Sequence, residues 1–143
     1  MGDNRGMDFD LVIIGGGLAG LALAAALRRS SLSVALVENA APVFPVQGSV
    51  DCSATWDSRV YAISPANAHF LEQIGIWQHL DHARMEPVRA MRIFGDGKGR
   101  LDFSAYDSGV AELAWIIESS LMQAELWEMV KRQGNLTLFC PAS

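Results

Sequence analysis

A short, largely aliphatic run from Phe9 to Ile14 gives way abruptly to three glycines, Gly15 to Gly17. The run predicts a strand buried on both faces. From Leu18 to Arg29 alanine and leucine dominate and no breaker follows Gly20, which predicts a helix. Ser33 to Glu38 (SVALVE) is again apolar and short and predicts a second strand. Strand, glycine turn, helix and strand follow one another within about thirty residues, the length of a βαβ unit.

Beyond this unit the pattern is less regular. Ala41 to Trp56 carries Pro42, Pro45 and Gly48 without a period and predicts an irregular excursion. Ser64-Pro65 predicts a helix N-cap followed by proline at the first helical position. The helix after it would bury Ala68, Leu71, Ile74 and Leu80, with Gly75 as a soft spot or early stop. Val88 to Phe94 alternates weakly, and Gly95-Asp96-Gly97-Lys98-Gly99 separates it from Leu101-Asp102-Phe103, so the pair predicts a β-hairpin. Trp115-Ile116-Ile117 predicts a further strand. Ser119 or Ser120 would cap a helix reaching about Arg132, with Gly134 just past its end. Asn135 to Cys140 (NLTLFC) alternates and predicts a last strand.

At 143 residues, half of them hydrophobic and 19% charged, the chain has the composition of one ordinary globular domain. A net charge of -5 argues against a nucleic-acid surface. Cys52 and Cys140 make neither a disulfide framework nor a zinc site, and two reduced cysteines are expected. Three consecutive glycines and Gly20 interrupt the apolar stretch Leu11 to Leu27, and the residues before it are acidic rather than basic. No transmembrane segment and no signal peptide are therefore expected, and the localisation read is cytoplasmic. Residues 1–7 are expected to form a flexible N-terminus. His79 and His82 stand three apart at an expected helix end, a spacing read as a solvated pair rather than a metal site.

Gly15-Gly16-Gly17-Leu18-Ala19-Gly20 satisfies the pattern G-x-G-x-x-G, with a strand before it, a helix after it and Glu38 at the end of the next strand. In that context the pattern predicts a dinucleotide site. Gly15 would allow the tight turn, Gly17 would let the backbone approach a pyrophosphate, and Gly20 would let the helix pack close to the sheet. The first helical residues, Leu18, Ala19 and Gly20, would offer unpaired N–H groups and a partial positive charge to the phosphates. Glu38 is placed to accept hydrogen bonds from an adenosine ribose, and its charge disfavours the 2'-phosphate of NADP. The motif itself leaves NAD and FAD open.

Further stretches carry a family resemblance. Asp57-Ser58-Arg59-Val60-Tyr61-Ala62-Ile63-Ser64 is followed by Ala68 to Trp77 (AHFLEQIGIW) and later by Ile116 to Gln123 (IIESSLMQ). Together with the glycine motif these resemble the class A flavoprotein monooxygenases, most nearly their ubiquinone-biosynthesis hydroxylase branch. The resemblance runs from Asp8 to Pro141 and implies a Rossmann-like α/β fold, a βαβ FAD-binding domain with a β-hairpin excursion. It implies FAD as cofactor, NAD(P)H and O2 as co-substrates, and hydroxylation of an aromatic or lipid-linked phenol such as a polyprenyl phenol. A ubiquinone-biosynthesis complex is the implied partner, and peripheral attachment to the inner membrane would come through it.

By the same resemblance Arg59 would contact the FAD near the pyrophosphate or the ribityl chain, which suits a guanidinium fork. A loop ion pair with Asp57 is the other reading of Arg59. Gln123 resembles a family position near the flavin, the alternative being an exposed helix glutamine. Ser119-Ser120 replaces the family's Asn-Arg. The family's second flavin motif, G-D-A-A-H, and its separate substrate sheet are missing, so residues 8–143 are expected to be the N-terminal portion of a longer FAD/NAD(P)-binding enzyme, cut or naturally shortened. No residue is read as catalytic. A non-catalytic nucleotide-binding or assembly module, and an NAD-dependent dehydrogenase domain, stand as the second and third readings.

Overall fold

The computed structural model describes residues 8–42 and 56–142. The expected flexible start at residues 1–7, most of the irregular stretch 41–56 and Cys52 lie outside them. In chain order come β1 (Leu11–Ile14), α1 (Leu18–Ala26), β2 (Val34–Val37), β3 (Val60–Ile63) and α2 (Pro65–Gln73). They are followed by β4 (Glu86–Val88), β5 (Ala90–Phe94), β6 (Arg100–Ser104), β7 (Ala114–Glu118), α3 (Ser119–Val130) and β8 (Leu136–Phe139). The chain divides into two units, one made of Met1–Phe44 and Gln123–Ser143, the other of Pro45–Met122.

The first unit is built on a parallel sheet in the order β1-β2-β8, with Leu11 opposite Val34 and Val34 opposite Leu136. The expected strand–turn–helix–strand order is present. β2 is central, and Val34, Ala35 and Leu36 are fully buried, so both of its faces are covered. Leu21, Ala24 and Ala25 of α1 join this core, and so do Leu126, Trp127 and Val130 of α3. Trp127 is therefore a core residue. Asn135 fixes the return from α1, donating to the carbonyls of Leu27 and Leu32 at 3.0 and 3.1 Å.

Two expectations about this unit need correction. β1 is not buried on both faces: Ile13 is inside, whereas Val12 is exposed and Ile14 is 86% exposed. Side chains alternate between the two faces of a strand, and among the described residues only the face carrying Ile13 is covered. The helix α1 also stops early, at Ala26, and tightens into a single 3-10 turn over Leu27–Arg29.

The second unit holds an antiparallel sheet in the order β3-β7-β4 and a separate two-stranded hairpin, β5-β6. The α2 start is as expected: Ser64 caps it, its side chain accepting from the Asn67 N–H at 3.3 Å, and Pro65 takes the first helical position. Its end is a Schellman motif. Gly75 sits at φ +85° and donates to the Glu72 carbonyl, and Ile76 donates to the Leu71 carbonyl at 2.8 Å. Ala68, Leu71, Ile74, Ile76 and Leu80 are buried, and the Trp77 and Trp115 rings meet edge to face at 5.2 Å.

The hairpin pairs Ala90 with Ser104 through to Phe94 with Arg100, turning at Gly95–Gly99. Val88, expected in it, belongs instead to β4 and faces Ala114 of β7. β3 was not legible as a strand. Val60–Ile63 is a four-residue apolar run without alternation, its first three residues are exposed, and its pairing with β7 defines it. The helix α3 stops at Val130, short of the expected Arg132.

Candidate functional site

Each glycine of the motif sits in a different physical situation. Gly15 has φ +102°, a left-handed conformation that side chains resist, and its N–H donates to the Val37 carbonyl at 2.8 Å. Gly20 faces the turn so closely that an added β-carbon would lie 2.1 Å from the Gly15 carbonyl oxygen and 3.3 Å from Ile13 Cγ2. Close packing of α1 at Gly20, expected from the spacing, is what the backbone shows. Gly16 is buried, and a β-carbon there would meet Glu38 Oε2 at 2.9 Å and Trp127 Cζ3 at 3.2 Å.

Gly17 is the exception. It is the N-cap of α1, exposed, with φ -75°, and a β-carbon added to it would meet nothing within 4 Å. Nothing among the described residues requires glycine at this position. Gly17 has no side chain with which to cap the first turn of α1, so among the described residues the N–H groups at Leu18, Ala19 and Gly20 present the positive end of the helix. A negatively charged group with several oxygen acceptors fits that cradle.

Glu38 follows directly on β2. One carboxylate oxygen, Oε2, accepts the Gly16 N–H, and Oε1 accepts the Ala40 N–H at 3.3 Å. The Gly16 N–H above all, then that of Ala40, holds the Glu38 carboxyl below its usual range, so it is ionised at neutral pH. From α3, Gln123 Nε2 donates to the Gly16 carbonyl at 3.0 Å. Gly15, Gly17, Leu18, Ala19, Gly20, Glu38 and Gln123 thus lie in one unit around one turn.

Arg59 belongs to the other unit. Its side chain is exposed, and the backbone on which it stands is pinned. Its N–H donates to Asp57 Oδ1 at 2.9 Å, and its carbonyl accepts the Ser119 N–H at 2.9 Å. This backbone contact is the main reason the Asp57 carboxyl lies below its usual range, and the Arg59 charge lowers it further. Asp57 Oδ2 accepts the Ser120 N–H at 3.0 Å, so α3 is capped from a distant loop rather than by its own Ser119 or Ser120.

Sequence reasoning missed the anchor of this loop. Glu118, 2% exposed, accepts from Arg84 through both oxygens, Nε to Oε1 at 2.8 Å and Nη2 to Oε2 at 2.6 Å. The same Oε2 takes the Asp57 N–H at 2.7 Å. An acid ending the apolar strand Ala114–Glu118 was the available signal. His79 and His82 fall in two separate one-turn helices, both exposed.

A family profile described as FAD binding domain matches residues 10–86. The chain is 28% identical over 134 residues to the 3-demethoxyubiquinol 3-hydroxylase of Escherichia coli (strain K12), covering 94% of this chain and 33% of that protein. Against the mitochondrial ubiquinone biosynthesis monooxygenase COQ6 of Drosophila melanogaster the identity is 30% over 134 residues, covering 91% of this chain and 27% of that one. The chain therefore spans a third or less of the length of these relatives. Among solved structures, Pseudomonas aeruginosa PqsL in complex with 2-aminobenzoylacetate superposes with a TM-score of 0.66 at 20% identity, over 92% of this chain and 33% of that one. The flavin-dependent monooxygenase PieE, in complex with FAD and substrate, gives a TM-score of 0.63 at 18% identity, over 93% of this chain and 24% of that one. These superpositions show the Rossmann-like α/β fold expected from the sequence.

Proposed function

Since the chain belongs to the FAD binding domain family, we propose that its glycine turn holds the diphosphate of FAD, as the N-terminal flavin-binding part of an aromatic hydroxylase. Gly17 carries this reading. Its φ is ordinary and no described residue lies in its side-chain direction, which supports a group approaching from outside as the reason for bare backbone there. The N–H groups at the start of α1, over Leu18, Ala19 and Gly20, donate to the phosphate oxygens. Glu38, ionised and at the end of β2, accepts from the ribose hydroxyls. Arg59 is a further FAD contact by resemblance to the family, and the bonds to Asp57 and Ser119 hold its backbone in place.

When bound, FAD supplies the electron transfer and oxygen insertion; the protein binds the cofactor and orients it. The names of the E. coli and Drosophila relatives support a ubiquinone precursor, a polyprenyl phenol, as substrate of the whole protein. NAD(P)H and O2 are its co-substrates in this proposal, and a ubiquinone-biosynthesis complex is its partner. Among the described residues no helix is long and apolar enough to cross a membrane. A cytoplasmic location, with attachment to the inner membrane through partners, completes the reading.

The purified chain, desalted and scanned for flavin absorbance, is then titrated with FAD and with ADP. Saturable binding of both supports the proposal, and binding of neither overturns it. Formation of a hydroxylated product from a prenylated phenol, with FAD, NADH or NADPH and O2, tests the wider activity. Its absence while FAD stays bound restricts this chain to holding the cofactor.

A further inference from the structure

We propose that Gln123 is a positioning residue for the glycine turn and does not itself contact the flavin; this rests on the dinucleotide reading above. Gly16 is gripped from two elements. Its N–H donates to the Glu38 carboxylate at the end of β2, and its carbonyl accepts from Gln123 Nε2 of α3 at 3.0 Å. Trp127, one turn after Gln123 on the same helix face, closes the remaining side, its Cζ3 lying 3.2 Å from where a Gly16 β-carbon would stand.

The carbonyl of Gly16 and the N–H of Gly17 belong to one peptide unit. In a planar trans peptide these two groups point in opposite directions. Holding the carbonyl on Gln123 therefore aims the Gly17 N–H away from α3. Gly15 and Gly17 have no side chains to restrict the turn, and glycine backbone is otherwise free to rotate. A fixed peptide plane presents its donor to a phosphate already ordered, which removes an entropic cost from binding.

Binding of ADP and of FAD separates the two roles, because ADP carries the diphosphate and lacks the flavin. Gln123→Leu removes the donor at similar volume; Gln123→Glu keeps the shape and presents an acceptor to the carbonyl. Both variants are expected to weaken ADP and FAD by the same factor, about fivefold for one hydrogen bond. Loss of FAD affinity with ADP affinity intact would mean a direct flavin contact and would overturn the proposal. Unchanged affinities with a lowered unfolding midpoint would mean a structural role only, and would overturn it as well. Should Gln123→Leu fail to fold, Gln123→Asn, one methylene too short to reach, gives the same comparison. A wild-type chain that binds neither nucleotide overturns the dinucleotide reading and this one with it. A wild type that binds both, with either adverse pattern in the variants, overturns this assignment alone.

Discussion

The carbonyl oxygen of Gly15 occupies the space that a β-carbon at Gly20 would need, the separation being 2.1 Å. The obstacle is backbone, held by the bond from the Gly15 N–H to the Val37 carbonyl, so it cannot swing aside as a side chain would. Gly20→Ala is expected to cost about 3 kcal/mol or more of folding stability, the scale of severe overpacking. Denaturant unfolding of the variant measures it. A loss of less than about 1 kcal/mol would show that the turn yields.

Gly17 should behave in the opposite way. With φ -75° and no atom of the described residues within 4 Å of an added β-carbon, Gly17→Ala is expected to leave stability within about 1 kcal/mol of wild type. Its methyl group would stand where the diphosphate approaches, so ADP and FAD affinity should fall at least tenfold, about 1.4 kcal/mol. Thermal unfolding and nucleotide titration on one preparation check both halves. A variant of normal affinity would remove Gly17 from the site.

Glu38 makes a prediction about pH. The Gly16 N–H, and after it the Ala40 N–H, lower the carboxyl's pKa in the folded chain, against a smaller opposing effect of burial. The folded state therefore binds fewer protons than the unfolded one in the acid range. The resulting stability is present above the ordinary glutamate range and is lost as pH falls through the folded value. Between about pH 5 and pH 3 the unfolding midpoint of wild type should drop more steeply than that of Glu38→Gln. Asp10, lowered mainly by the Ser33 N–H, and Asp57 and Asp102 remain in both proteins and cancel in the difference. Parallel curves would count against a folded-state bond from Gly16 to Glu38.

The Arg84–Glu118 pair in the second unit is a stability test. Glu118 is 2% exposed and the Arg84 side chain 23%, with two charge-assisted bonds between them. Arg84→Met is expected to destabilise by about 3 kcal/mol, because it leaves a buried carboxylate without its countercharge. Replacing both residues together, Arg84→Met with Glu118→Leu, should recover part of that loss. A double variant less stable than Arg84→Met alone would show that the Glu118 carboxylate matters more for its bond to the Asp57 N–H than for its charge pair.

The glycine motif, the βαβ order and the α2 cap were legible because each is a local rule. Gly15 must reach φ +102°, Ser64 must accept from the Asn67 N–H, and a strand must lie between a turn and a helix. What escaped was set by partners distant in the chain. β3 is a four-residue apolar run without alternation, and it exists through its pairing with β7. Val88 reads as hairpin and joins β4, because the choice between two antiparallel neighbours is made by the sheet.

The sequence alone determined that residues 15–20 form a turn needing bare backbone, that a helix starts there and that an acid follows the next strand. These follow from backbone sterics and short-range periodicity. Only the tertiary structure decided that Gly16 is the gripped residue, that Gln123 reaches its carbonyl across 107 positions, and that Asp57 caps α3 from 63 positions away. Hydrogen bonds of this kind join groups whose separation along the chain carries no pattern, so they come into being with the packing itself.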